Sequence, residues 1–234
     1  MMNNENENKG QGTRMAGRNP ELTELVFVLD RSGSMTGMEH AVIDGFNRLL
    51  EKQRRAPGRA LVSVELFDDR FEVLHDREEL ARVGELTSRE YWVRGCTALL
   101  DAVGRAIRHI ARKQREARPA ERPGHTLFVI NTDGLENASR EYSRERIREM
   151  VREEEGKYGW EFLFLGANID AVETAAHFGI MEDRAVTFHN DSQGQQLNYR
   201  VVSETMSCLR ACAPVGREWK EEIEVDFKSR KVER

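Results

Sequence analysis

Five oxygen-bearing side chains, far apart along the chain, have the types and spacing of cation ligands. Asp30-Arg31-Ser32-Gly33-Ser34 sets a carboxylate and two hydroxyls at alternate positions of a short turn. Thr97 adds a third hydroxyl, and Asp133-Gly134 adds a second carboxylate. Alternate residues of an extended segment point to one side, so Asp30, Ser32 and Ser34 can share a focus. Gly33 gives the turn room. No histidine lies in these motifs, and the nearest sulfur is Cys96. Such a set suits a hard cation like Mg²⁺, which takes octahedral oxygen ligands at about 2.0–2.1 Å and keeps several waters, and it disfavours zinc. Taken alone, Asp30 could simply cap the following turn.

The elements that must bring these residues together read as alternating strands and helices. Leu25–Leu29 is a continuous apolar run ending at Asp30, the pattern of a strand buried on both faces. A helical stripe of Met38, Val42, Phe46, Leu49 and Leu50 follows and is broken at Pro57-Gly58. Residues 60–67 read as a second strand. After the turn Asp68-Asp69-Arg70, residues 71–74 return as a third, and so short a connection makes that pair antiparallel. Residues 76–94 look charged and irregular. A helix is predicted from about Ala98 to Arg115, with Leu99, Val103, Ile107 and Ile110 on one face, then a loop over 116–124. Thr126–Ile130 is the fourth strand, leading to Asp133. A charged helix follows over about 143–155, and a fifth strand over 160–165. Asp170 is read as the cap of a short helix ending near Phe178, and residues 184–188 as a sixth strand. A last helix carries Leu197, Val201, Met206 and Leu209. The alternation of Ile223, Val225 and Phe227 predicts an extra strand before a charged tail. The expected fold is α/β: a Rossmann-like, doubly wound, mostly parallel six-stranded sheet with one antiparallel edge strand and helices on both faces. Ligands of such folds bind beyond the carboxyl ends of the strands, where the five candidate residues lie.

Composition narrows the function classes. At 234 residues, 39% hydrophobic, the chain can bury one sizeable core. Its formal net charge of −5, from 36 Lys+Arg against 41 Asp+Glu, gives no basic field for nucleic acid. No apolar run approaches a membrane span of about 20 residues. Three cysteines, an odd number, argue against a disulfide framework, so a soluble cytoplasmic protein is expected. Residues 1–20 are read as a flexible polar tail, 21–214 as the domain, and 215–234 as a C-terminal extension.

Asp30-Arg-Ser32-Gly-Ser34, followed by Thr97 and Asp133-Gly134, resembles the metal-ion-dependent adhesion site (MIDAS) of the von Willebrand factor type A family. Order and placement in the α/β framework match over about residues 22–212. The resemblance implies one Mg²⁺ or Mn²⁺ at the top of the sheet. It implies that Ser32, Ser34 and Thr97 bind the metal directly, and that Asp30 and Asp133 act directly or through ligand waters. An open position then accepts an Asp or Glu carboxylate of a protein partner. The segments Asp133-Gly-Leu-Glu-Asn137-Ala-Ser and Gly166-Ala-Asn168-Ile-Asp170 look more like stand-alone bacterial members than secreted adhesive ones, which implies an intracellular partner.

Arg31, Glu136, Asn137 and Asn168 form a candidate rim for partner contact, with a surface salt bridge for Arg31 and solvated loop positions for the others as simpler roles. Cys208 and Cys212, four apart on a predicted helix, are expected to be buried small hydrophobes. The six histidines show no ligand spacing, and the Arg-rich stretch 105–122 reads as a helix end and solvated loop. The leading function is a non-catalytic, cation-dependent protein-interaction module, an intracellular scaffold or adaptor. The alternatives are a Mg²⁺-dependent phosphohydrolase and a structural subunit with a vestigial site. A haloacid-dehalogenase-like enzyme would need a carboxylate where Ser32 stands, and no phosphate-binding glycine loop is present.

Overall fold

The computed structural model describes residues 17–231. Most of the tail read over residues 1–20 lies outside the described residues; Asn19 and Pro20, read as its end, already belong to the first strand. That strand, β1 (Asn19–Asp30), is followed by α1 (Glu39–Arg55), β2 (Arg59–Phe67), β3 (Phe71–Glu79) and α2 (Leu99–Glu116). Then come β4 (Pro123–Thr132), α3 (Arg144–Tyr158), β5 (Glu161–Ala167), α4 (Ala171–His177), β6 (Ala185–Phe188), α5 (Ser192–Arg210) and α6 (Glu221–Lys231). The six strands are ordered β3-β2-β1-β4-β5-β6, and all pair in parallel except β3, which runs antiparallel at the edge. Among the described residues no helix is long and apolar enough to cross a membrane.

The continuous apolar strands serve two cores because successive side chains alternate between faces. Leu25, Phe27 and Leu29 of β1, with Leu127, Val129, Leu163 and Leu165, pack towards α1 and α5. Val26, Val28, Phe128, Ile130, Phe162 and Phe164 point the other way, towards α2, α3 and α4. Burying each such side chain is worth about 1.5–3 kcal/mol, so the central strands anchor the fold. Strand order reverses between β1 and β4, whose last residues are in register, Leu29 opposite Asn131. Asp30 and Asp133 therefore leave neighbouring strands at the switch point, where a crevice opens.

Three expectations are corrected. β3 continues to Glu79 through residues read as irregular, because an edge strand buries little and its charge hides the pattern. The segment after it, irregular as expected, plugs one core with Leu80, Val83, Leu86 and Tyr91. The extra C-terminal strand is instead helix α6. Ile223 and Phe227 are one helical turn apart; Ile223 is buried and the Phe227 ring lies against His189, while Val225 between them is 66% exposed. The alternation in the sequence was an i, i+4 pair with an exposed residue inside it. Cys208 and Cys212 are free and exposed, as is Cys96. Helix α5 ends at Arg210, and Cys212 lies beyond it with φ 59°, so the two cysteines do not share a helical face.

A buried polar patch lies where β1 and β2 meet α2. Glu24 accepts from Arg77 Nε at 2.7 Å and Gln114 Nε2 at 2.8 Å. Glu65, on β2 and the same face of the sheet, has no hydrogen-bond partner on either carboxylate oxygen among the described residues. Burial, then the nearby Asp76 and Glu24 charges, pushes its carboxyl well above the ordinary 4.5. An unsatisfied buried polar group costs about 1–3 kcal/mol, so Glu65→Met is expected to stabilise the protein by about that amount in urea denaturation. The folded chain holds this proton where the unfolded chain has released it. Wild-type stability from this group therefore falls as pH rises past 4.5. The advantage of the methionine variant should widen as pH rises above 4.5; a constant difference would mean that Glu65 is ionised in the fold.

Candidate functional site

Asp30 ends β1 with both carboxylate oxygens engaged. Oδ1 accepts from the Ser32 backbone N–H at 2.7 Å, and Oδ2 from Thr132 Oγ1 at 2.5 Å. The Tyr91 hydroxyl donates to the Asp30 carbonyl at 2.5 Å and pins the strand end from below. The chain then makes a single helical turn, Gly33–Met35, which folds Ser34 back over Ser32. Their hydroxyl oxygens lie 3.0 Å apart. Thr97 Oγ1 donates to Ser32 Oγ at 3.0 Å, and Ser34 Oγ donates to Asp133 Oδ1 at 2.5 Å. The structure thus brings Ser32, Ser34, Thr97 and Asp133 into one connected cluster, with the Asp30 carboxylate joined through the Ser32 backbone and Thr132. Asp30, Ser32, Thr97 and Asp133 are buried; Ser34 is exposed and forms the entrance.

Two observations test whether a cation fits. First, Gly134 lines the cluster, and a Cβ there would lie 2.8 Å from Thr97 Oγ1 and 3.1 Å from Ser34 Oγ, so only glycine leaves the cradle open. Second, the buried Asp30 and Asp133 carboxylates have no ion-pair partner among the described residues, whereas buried charges are normally paired or metal-bound. Burial pushes Asp30 above its ordinary value against hydrogen bonds from Thr132 and Ser32. Burial, with the Asp30 charge adding to it, pushes Asp133 up to about 6 despite the Ser34 hydrogen bond. A cation would relieve both. Among the described residues no group of three or more His, Cys, Asp or Glu could hold a metal; here hydroxyls complete the donor set, and they suit a hard ion.

The rim residues are distributed differently. Arg31 is corrected: it is 1% exposed, not a surface residue. Its Nε pairs with Asp68 at 3.0 Å and its Nη2 with Glu72 at 2.7 Å, because the alternation that turns Ser32 and Ser34 to the site turns Arg31 under the β2–β3 hairpin. Glu136 faces inward and accepts from the backbone N–H groups of Leu100, Ala138 and Ser139 and from the Ser139 hydroxyl. Asn137 holds Thr97 from both sides: its Oδ1 accepts from Thr97 N at 2.9 Å and its N donates to Thr97 O at 3.0 Å. Asn168 is exposed in a left-handed conformation, φ 55°, and Asp170 caps α4 through Glu173 N. Sequence reasoning missed Thr132, Tyr91 and Asn190. Asn190 donates to Asp133 Oδ2 at 2.7 Å. It follows β6, so the rule that directs attention past strand ends would have found it. Tyr91 sits in an irregular segment with no periodic signal.

No family model matches the sequence, and no curated protein matches it. Solved structures share its fold. A von Willebrand factor type A protein from Catenulispora acidiphila has a TM-score of 0.55 at 14% identity, covering 81% of this chain and 43% of that one. Proximal thread matrix protein 1 from the mussel byssus, with a zinc-occupied MIDAS motif, has a TM-score of 0.53 at 16% identity, covering 82% and 46%. The D319A mutant of the PilB minor pilin from Streptococcus sanguinis has a TM-score of 0.54 at 11% identity, covering 82% and 63%. The chain spans less than two thirds of each of these proteins, and likeness at such identity concerns the fold alone. Sheet order, the antiparallel edge and these likenesses together identify the chain as having the von Willebrand factor type A fold.

Proposed function

We propose that the chain is a divalent-cation-dependent protein–protein interaction module. The observation that carries this reading is the unbroken run of oxygens from Asp133 through Ser34 and Ser32 to Thr97, linked at 2.5–3.0 Å, with the buried Asp30 and Asp133 carboxylates lacking an ion pair among the described residues. Ser32, Ser34 and Thr97 bind Mg²⁺ (or Mn²⁺) through their hydroxyl oxygens. Asp30 and Asp133 neutralise it, directly or through its waters. The bound cation supplies an electrophilic position that an Asp or Glu carboxylate of a partner protein completes. Exposed Ser34 borders the approach, and Glu136 and Asn137 hold the Thr97 loop in place. The zinc-occupied MIDAS motif of the mussel protein supports the assignment by analogy. The setting proposed is intracellular, with a scaffold or adaptor role there; the three free cysteines fit a reducing compartment.

Calorimetric titration of the metal-free full chain with Mg²⁺ should give binding that Ser34→Ala weakens by at least about tenfold. Affinity capture from a native lysate should then yield a protein lost with EDTA and with Ser34→Ala. Absence of Mg²⁺ binding, or a captured partner indifferent to both, overturns the reading. Mg²⁺-dependent hydrolysis of a generic phosphate ester, lost in Asp30→Asn, overturns its non-catalytic part.

A further inference from the structure

We propose that helix α6 is a clamp on the cation site and acts on it through Asn190, a positioning residue; this rests on the reading of the site as a cation seat. Asn190 lies between β6 and α5. Its Nδ2 donates to Asp133 Oδ2 at 2.7 Å, while Ser34 takes Oδ1, so the two donors fix the rotation of that carboxylate. A carboxylate only accepts, so the Asn190 amide must turn its nitrogen to Asp133 and its oxygen to Gln195. Gln195 Nε2 donates to that oxygen at 3.1 Å, and Gln195 Oε1 accepts from Asn131 Nδ2 at 3.4 Å. The relay begins and ends at the end of β4, and Gln195 is fully buried.

Helix α6 holds the residues on each side of Asn190. His189 Nε2 lies 3.1 Å from the Phe227 carbonyl, and the two rings are 4.6 Å apart. Arg230 pairs with Asp191 at 2.5 Å and with Asp226 at 2.6 Å. Asp191 caps α5 by accepting from Gly194 N at 2.8 Å. A Cβ on Gly194 would run into the His189 carbonyl, so the loop is closed tightly on itself. The approach to α6 is seated in turn: Trp219 Nε1 donates to the Asp183 carbonyl at 2.7 Å, and Ile223 is buried. The contacts run without a break from α6 through His189 and Asp191 to Asn190 and Asp133. A helix outside the site thereby sets the aim of one of its carboxylates.

The test is Mg²⁺ titration of the full chain by calorimetry, with hydrogen exchange of residues 188–192. Asn190→Ala should weaken Mg²⁺ binding about tenfold, the size expected when a partner of a ligand is removed. Arg230→Ala touches no proposed ligand. It should weaken binding about threefold and speed exchange in the loop, with melting otherwise little changed. Because both act through one group, the double variant should bind no more weakly than Asn190→Ala alone. Wild-type affinity in Asn190→Ala, wild-type affinity in Arg230→Ala, or losses that simply add each overturn the clamp. Should Asn190→Ala fail to fold, Arg230→Ala alone decides. A wild type without Mg²⁺ binding overturns the site reading and the clamp with it; Mg²⁺ binding unaffected by the variants overturns the clamp alone.

Discussion

Gly134→Ala should leave a folded protein whose Mg²⁺ affinity is lower by about a hundredfold, at the upper end of losses seen when the surroundings of a metal ligand are disturbed. The added methyl would sit 2.8 Å from Thr97 Oγ1 and 3.1 Å from Ser34 Oγ, and both oxygens would have to give by tenths of an ångström. Mg²⁺ tolerates little departure from octahedral geometry at about 2.0–2.1 Å, so displacements of that size matter far more to the ion than to the fold. The backbone at Gly134 is not in the left-handed region, so alanine brings no conformational penalty of its own. The measurement is a pair: calorimetric Mg²⁺ titration and urea unfolding of the metal-free chain. Unchanged affinity would mean that the hydroxyl cluster is not where the cation binds. Intact affinity with lost stability would make Gly134 a packing residue only.

Asp68→Ala should be the most damaging single change to stability, at about 3–5 kcal/mol, the cost of leaving a buried charge without its partner. Asp68 is 0% exposed and accepts from Arg31 Nε at 3.0 Å, Arg94 Nε at 2.7 Å and Arg70 N at 2.7 Å. Its removal leaves the buried Arg31 with Glu72 as its remaining ion-pair partner and the Glu90 carbonyl 3.4 Å from Nη1. Burial alone would raise the Asp68 carboxyl, but the hydrogen bonds from Arg94, Arg70 and Arg31 outweigh it and hold it below the ordinary 3.8. The sign follows. The stabilisation is complete above 3.8 and is lost as pH falls through the lower folded value, so wild type and variant should converge in strong acid. The site should also feel the change, because Arg31 O accepts from Arg94 N and Gly33 N donates to Gly95 O, tying the Asp30 turn to the Thr97 loop. Urea midpoints across pH check the first part; a loss below about 1 kcal/mol would place the pair among surface salt bridges.

What could be read from the amino acids depended on how local the governing physics was. The central strands were legible because burial on both faces demands an unbroken apolar run, and Leu25–Leu29 can be little else. The gathering of Ser32, Ser34 and Asp133 was legible because each follows a strand end on one side of a parallel sheet, and Thr97, which leads into helix α2, was placed with them by the resemblance. Arg31 was misread as a surface group because its partners, Asp68 and Glu72, are distant in sequence, and nothing local shows that a hairpin closes over it. Helix α6 was misread because three apolar residues at alternate positions fit either period, and only docking beside β6 decides. Tyr91 and Glu65 had no signal, since one buried ring in an irregular segment and one buried acid in a strand depend wholly on what packs against them.

The edge strand β3 has a consequence for how copies of the chain meet one another. A terminal strand with unsatisfied backbone groups invites another chain to extend the sheet, the first step of aggregation. Here that strand carries Glu72, Asp76, Arg77, Glu78 and Glu79, its pairing with β2 shifts register twice, and Arg77 is left-handed at φ 53°. An incoming strand would meet like charges and an uneven backbone, so sheet-to-sheet growth is blocked on this side. At the opposite side α6 packs against β6, leaving neither margin of the sheet a ready template for fibrils.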